Sequence, residues 1–380
     1  MQKNKTPDFM KRILIISQLQ FQKHPIFIRP VFLLSLGVVF SLFSFSSCSQ
    51  SHLSDEIVEA EELLWSAPDS CLAFLEGLDY STLSEYDSCV CALQREHALF
   101  KVQYGLEDDS HVMALKDYFE AQGDHRYAGE ACYIVGRNLV LQQNLPMATF
   151  YQKAAEEHLL NAERVPAQLL GLVYLGLGNC AEYERLFEIA NAYYERALPY
   201  FHQSADSLYI GCTFRNLCNT IPMNDSSEVL KLIDSALLYL SSPRYETHWI
   251  DAAITKHSYI EKDSTSSVHY FHLLCDTLGQ VSYAANLCEF YLADGNITMA
   301  AYYLALSELD TINSIWSKEH YLFNKARYYH EIGRKDSAYF ILRDLHLWQT
   351  EEIEASAHTR AYMVEQRYDA ERERSEKLQA

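Results

Sequence analysis

In the stretch YLGLGNCAEYERLFEIANAYYERALPYF, Tyr174 to Phe201, the small residues Gly178, Ala190 and Ala197 recur at helical intervals among large aromatic side chains. Tyr174, Leu177, Gly178 and Ala181 fall on one face of a first helix, and Ala190, Tyr194 and Ala197 on one face of a second. Two antiparallel helices approach closely only where the crossing point lacks bulk. The spacing therefore predicts a helical hairpin in which Gly178 and Ala190 let the backbones approach while Tyr174, Leu177 and Tyr194 fill the flanks.

The arrangement returns along the chain. ACYIVGRNLVLQQNLPMATFYQKAAE sets Gly136, Leu139, Tyr151 and Ala154 in matching places, with Pro146 in the first turn of its second helix, where proline is tolerated. ANLCEFYLADGNITMAAYYLALSEL does so with Leu287, Cys288, Tyr291, Gly295, Ala300 and Leu304, and LFNKARYYHEIGRKDSAYFILRDL with Leu322, Ala326, Tyr329, Gly333, Ala338 and Leu342. From Leu53 onward apolar residues recur at i, i+3, i+4 and i+7, and strand-like alternation is nearly absent. Short breaks such as QGD at 122–124, ADGN at 293–296 and IGRKDS at 332–337 separate the helices, and Asp225 and Asp336 are read as caps that start new ones. The stretches 205–240 and 245–276 fit less well: Ile233 and Ala236 match, but no clear small residue marks the first helix.

Tyr174-x2-Leu177-Gly178-x2-Ala181 followed by Ala190-x3-Tyr194-x2-Ala197 resembles the tetratricopeptide repeat, with Ala181 where the repeat usually carries Tyr. Cys288 and Ala326 stand 38 residues apart, against about 34 in the standard unit, so slightly longer helices are expected. The resemblance implies an all-α, right-handed superhelical solenoid of antiparallel hairpins, about eight of them over 55–348. In it Gly136, Leu177, Gly178, Ala190, Tyr194, Ala197, Cys288, Ala300, Ala326 and Ala338 pack one helix on another. A charged C-terminal helix, 349–380, closes the array. The segments LLWSAPDSCLAFLEGL and ALFKVQYGLEDDSHVMALKDYFEAQGDHRYAGEACYIVGR look like the opening of Bacteroidetes envelope proteins of this repeat type, which are lipoprotein-like or membrane-tethered.

The N-terminus points the same way. A basic stretch precedes the apolar run Val31 to Phe45, too short for a comfortable membrane span but suited to a secretory signal. FSSC resembles a bacterial lipobox, which makes 1–47 a lipoprotein signal peptide, Cys48 the lipidated residue and 48–54 a tether, with the chain held at a membrane surface in the cell envelope. Beyond residue 47 the chain holds 25 basic against 50 acidic residues, a formal charge of −25. A surface that negative repels phosphate backbones and argues against nucleic acid as a partner. Nine further cysteines show no CxxC spacing and are read as small apolar helix residues.

No enzyme is expected. HExxH, GxSxG, EF-hand and phosphate-loop strings are absent, His269 and His272 lack further ligands nearby in sequence, and neither a metal nor a cofactor is predicted. The expected working surface is the concave face formed by the first helices of successive hairpins. Tyr133, Arg137, Leu175, Asn179, Glu182, Tyr183, Glu289, Phe323, Asn324, Arg327 and His330 stand beside the packing positions there and suit an extended peptide or a partner helix. The expected function is a protein- or peptide-binding scaffold or sensory input module. The alternative is the periplasmic sensor part of a membrane-linked regulator whose effector half lies outside this chain.

Overall fold

The chain divides into two units, Met1–Ser54 and Asp55–Ala380. The computed structural model describes residues 55–351 apart from 104, 222–225, 262 and 311–314. Cys48, the signal and tether segments, Asp225 and nearly all of 349–380 lie outside the described residues.

Sixteen helices make up the described residues, and they pair as eight successive hairpins: α1 (Asp55–Ser66) with α2 (Pro68–Glu76), α3 (Glu85–Gln103) with α4 (Ser110–Gln122), α5 (His125–Leu141) with α6 (Leu145–Asn161), and α7 (Ala167–Tyr183) with α8 (Phe187–Gln203). There follow α9 (Ser207–Thr220) with α10 (Ser226–Tyr239), α11 (Glu246–Thr255) with α12 (Ser264–His272), α13 (Ala284–Ala293) with α14 (Ile297–Glu308), and α15 (Ile315–Glu331) with α16, residues 335–351. No strand occurs among the described residues. Neighbouring hairpins bring their first helices side by side, as with α3 and α5, α5 and α7, α9 and α11, and α13 and α15. This is an α-solenoid whose first helices form one row, the inner helices.

Capping explains where several helices begin. The side chains of Asp124, Asn144, Asp206 and Asn296 each accept the backbone N–H three residues on, satisfying one of the donors that a helix start leaves free. Asp336 does not cap: α16 begins at 335, so this carboxylate lies in the first turn, where the helix dipole favours it. α16 also runs unbroken past 348.

The third and fourth hairpins are sealed by small residues under large ones. A Cβ on Gly178 would stand 2.4 Å from Cε1 of Tyr194, so the tyrosine ring lies directly over the glycine rather than on its flank. Gly171 is covered in the same way by Phe201, and Gly129 by Leu159. Gln152 of α6 lies between Gly136 of α5 and Gly176 of α7, within 3.0 Å of where either glycine would carry a Cβ, and donates to the carbonyl of Tyr133 at 3.3 Å. Ala190, Tyr194, Ala197, Cys288 and Ala300 have no exposed surface, and Leu177, Ala326 and Ala338 have little.

The region 205–276 corrects one expectation. Its first helices do carry small contact residues: a Cβ on Gly211 of α9 would meet Leu240 at 2.5 Å, and Ala252 of α11 is fully buried. α11 and α12 each end in a π-helical turn, Lys256–Glu261 and Leu273–Thr277, which breaks the helical repeat after Ala252. α11 is a wall between two cores. Ala252 packs with Ile233, Ala236 and Leu240, while Ile250 and Ile254 pack with Phe271, Leu274, Leu287 and Tyr303.

Candidate functional site

The inner helices are joined by a belt of polar side chains. At its start the Tyr194 hydroxyl donates to Glu182 at 2.6 Å and lies 2.9 Å from Asn179 Oδ1. From α9, Asn216 donates to the same Asn179 oxygen at 3.1 Å and Asn219 to Glu182 at 3.0 Å. Arg215 of α9 holds Asn216 at 2.8 Å and pairs with Asp251 of α11, which in turn accepts the hydroxyl of Tyr283, just before α13. Arg327 and His320 of α15 reach Glu289 of α13 at 3.0 and 3.2 Å. His320 first, and then Arg327, hold the Glu289 carboxyl below its usual range, against the opposing effect of partial burial.

The belt then reaches back to α7. Arg185, in the turn after α7, pairs with Glu319 of α15 at 3.4 Å, and Gln349 of α16 donates to Glu319 at 2.5 Å. Between that turn and α13–α16 opens a cleft of about 870 Å³, with Arg185, Asn286, Glu289, Glu319, His320 and Phe323 on its walls. Both charge signs face the cavity, and Phe323, 46% exposed, supplies an apolar surface beside them.

The residues singled out from the sequence divide into three groups. Glu289 and Phe323 line the cleft, with Arg327 bound to Glu289 at its edge. His330, also on α15, is exposed outside the cleft wall. Asn179 and Glu182 belong to the belt, and Tyr183 beside them is 47% exposed. Arg137 is half-buried next to Tyr133. Tyr133, Leu175 and Asn324 do not offer surface, which corrects their reading as groove residues. Helices α5 and α7 are covered on nearly every side, and Asn324 is fully buried, donating to the carbonyl of Ala285 at 2.9 Å.

Sequence reading missed Arg185, Arg215, Asn216, Asn219, Asp251, Glu319 and His320. Arg215, Asn216, Asn219 and Asp251 lie in the stretch 205–276, which fits the repeat less well. Arg185 takes φ 60° at a hairpin turn where other copies place Gly295 and Gly333, but Gln143 and Ala205 do the same after α5 and α8, so nothing in the sequence singled it out.

The fold is that of a tetratricopeptide-like helical repeat protein. No protein-family model matches the chain, and no curated protein matches its sequence. Among solved structures it is similar to the Rap protein complexed with competence and sporulation factor, with a TM-score of 0.59 and 13% identity, over 80% of this chain and 98% of that one. At that identity the likeness concerns the fold. No described helix is long and apolar enough to cross a membrane.

Proposed function

We propose that the chain is a non-enzymatic scaffold or sensory module that takes a protein or peptide partner along its inner helices, held at a membrane of the cell envelope by lipid on Cys48. The observation that supports this most is the polar belt ending in an open cleft of about 870 Å³. Its walls carry carboxylates, a guanidinium, an imidazole, an amide and one exposed ring, groups that satisfy a peptide backbone and anchor a side chain. The similar Rap structure is a complex with a separate factor, which agrees with this use of the fold.

The test is a photoreactive amino acid placed at Phe323 or Tyr183 on the inside, and at Tyr302 on a second helix, where the ring is also exposed. In native envelopes the inner positions are expected to capture a discrete partner and Tyr302 none. Equal capture at all three, or no capture from inside, would overturn the reading.

A further inference from the structure

We propose that Glu120, Cys132 and His158 form a binding site for a divalent cation of the zinc class. The three residues come from α4, α5 and α6, and one ligand atom from each lies within 4.8 Å of the others. His158 Nε2 and Glu120 Oε1 are already 3.2 Å apart. That is about the edge of a tetrahedron whose nitrogen and oxygen ligands stand roughly 2.0–2.2 Å from zinc. The Cys132 sulfur lies within 4.8 Å of both.

The surroundings support the set. Cys132 is 1% exposed and forms the floor, while His158 and Glu120 form a rim open to solvent and give an ion a way in. The other ring nitrogen of His158 lies 3.0 Å from Nδ1 of His125, which can accept its proton and so hold the ring with Nε2 towards the ion. The second oxygen of Glu120 accepts from Lys116 at 2.9 Å, and Lys116 pairs with Asp117 at 2.7 Å. With thiolate and carboxylate bound to a dication, and the Lys116–Asp117 pair beside them, the local charges cancel.

One sulfur, one nitrogen and one oxygen suit zinc or cobalt, whereas magnesium and calcium require oxygen ligands throughout. Three protein ligands leave a fourth position for water. A metal takes the deprotonated sulfur, so the Cys132 thiol gives up its proton when the ion enters. Binding forms the metal–sulfur bond and releases that proton to solvent, which makes affinity rise with pH. The ligands are far apart in sequence, and no spacing motif joins them.

The test adds Co²⁺ alone to the chelator-stripped full chain. One Co²⁺ per chain is expected, with a thiolate-to-cobalt charge-transfer band that Cys132→Ser abolishes and Zn²⁺ displaces. Glu120→Gln and His158→Ala are expected to weaken binding at least tenfold. Because Glu120 is exposed, its variant keeps the test independent of core packing. Absence of the band in the wild type, or unchanged affinity in both Glu120→Gln and His158→Ala, would refute the site.

Discussion

Arg185 and Glu319, 134 residues apart in sequence, meet at 3.4 Å and join the turn of the fourth hairpin to the first helix of the eighth. Arg185 has a left-handed backbone, φ 60°, in the turn that ends α7, as Gln143 and Ala205 have after α5 and α8. Left-handed geometry costs a non-glycine residue about 1–2 kcal/mol, and an exposed ion pair returns about 0–1 kcal/mol. The pair therefore adds little to stability, and both residues line the cleft. Arg185→Gly is expected to leave the urea midpoint within about 1 kcal/mol of wild type, since glycine loses about 0.5–1 kcal/mol in chain entropy while relieving the strain. Partner capture from Phe323 should fall sharply. A capture yield equal to wild type would separate Arg185 from binding.

Gly178→Ala is expected to destabilise by about 1–3 kcal/mol through overpacking, because the new methyl meets the Tyr194 ring at 2.4 Å. Gly295→Ala meets no atom within 4 Å but sits at φ 75°, so its cost of about 1–2 kcal/mol is backbone strain. Denaturant midpoints of double variants tell the mechanisms apart. Tyr194→Leu should partly absorb the first change, making the pair less than additive, and should simply add to the second.

Acid is expected to weaken the N-terminal hairpins through His97 and Glu130, a buried pair 2.6 Å apart. Burial, the largest influence, drives the imidazole below its ordinary value of 6.5 and keeps it neutral, donating from Nδ1 to the carboxylate. Burial raises the Glu130 carboxyl, but the hydrogen bond from His97 and the charges of Arg126 and Lys101 outweigh this, and the net direction is down from 4.5. In both cases the unfolded chain binds the proton more readily than the folded one, so stability falls as pH drops below 6.5 and again below 4.5. His97→Leu should flatten the upper part of that slope, measured as denaturant midpoint against pH. An unchanged slope would show that another group titrates there.

The lipid anchor is checked by labelling. Radioactive palmitate is expected to enter the wild-type chain and not Cys48→Ala, with the variant released from membranes. Equal labelling of both would exclude Cys48 as the attachment point.

The hairpins were legible because Gly178, Ala190 and Ala300 are forced by helix crossing, a local constraint that repeats. The inner residues were only partly legible. Spacing singles out Glu289 and Phe323, which line the cleft, but it does not reveal that α7 is buried nearly all round, so Leu175 reads as surface when it is core. Nor does it reveal pairings between distant hairpins, such as Arg185 with Glu319, which depend on the curvature of the whole array. Glu120, Cys132 and His158 escaped for a related reason: their meeting point belongs to three helices at once, and one-dimensional spacing does not register it.

The ten-residue helix α11 carries a separate core on each side, with Ala252 facing one and Ile250 and Ile254 the other. It is followed by the π-helical turn at Lys256–Glu261. A rod shared in this way acts as a lever: any tilt imposed by one block must repack the next. Motion at the far end of the stack thus has a mechanical route towards Arg215 and the earlier hairpins, through a joint no longer than three helical turns.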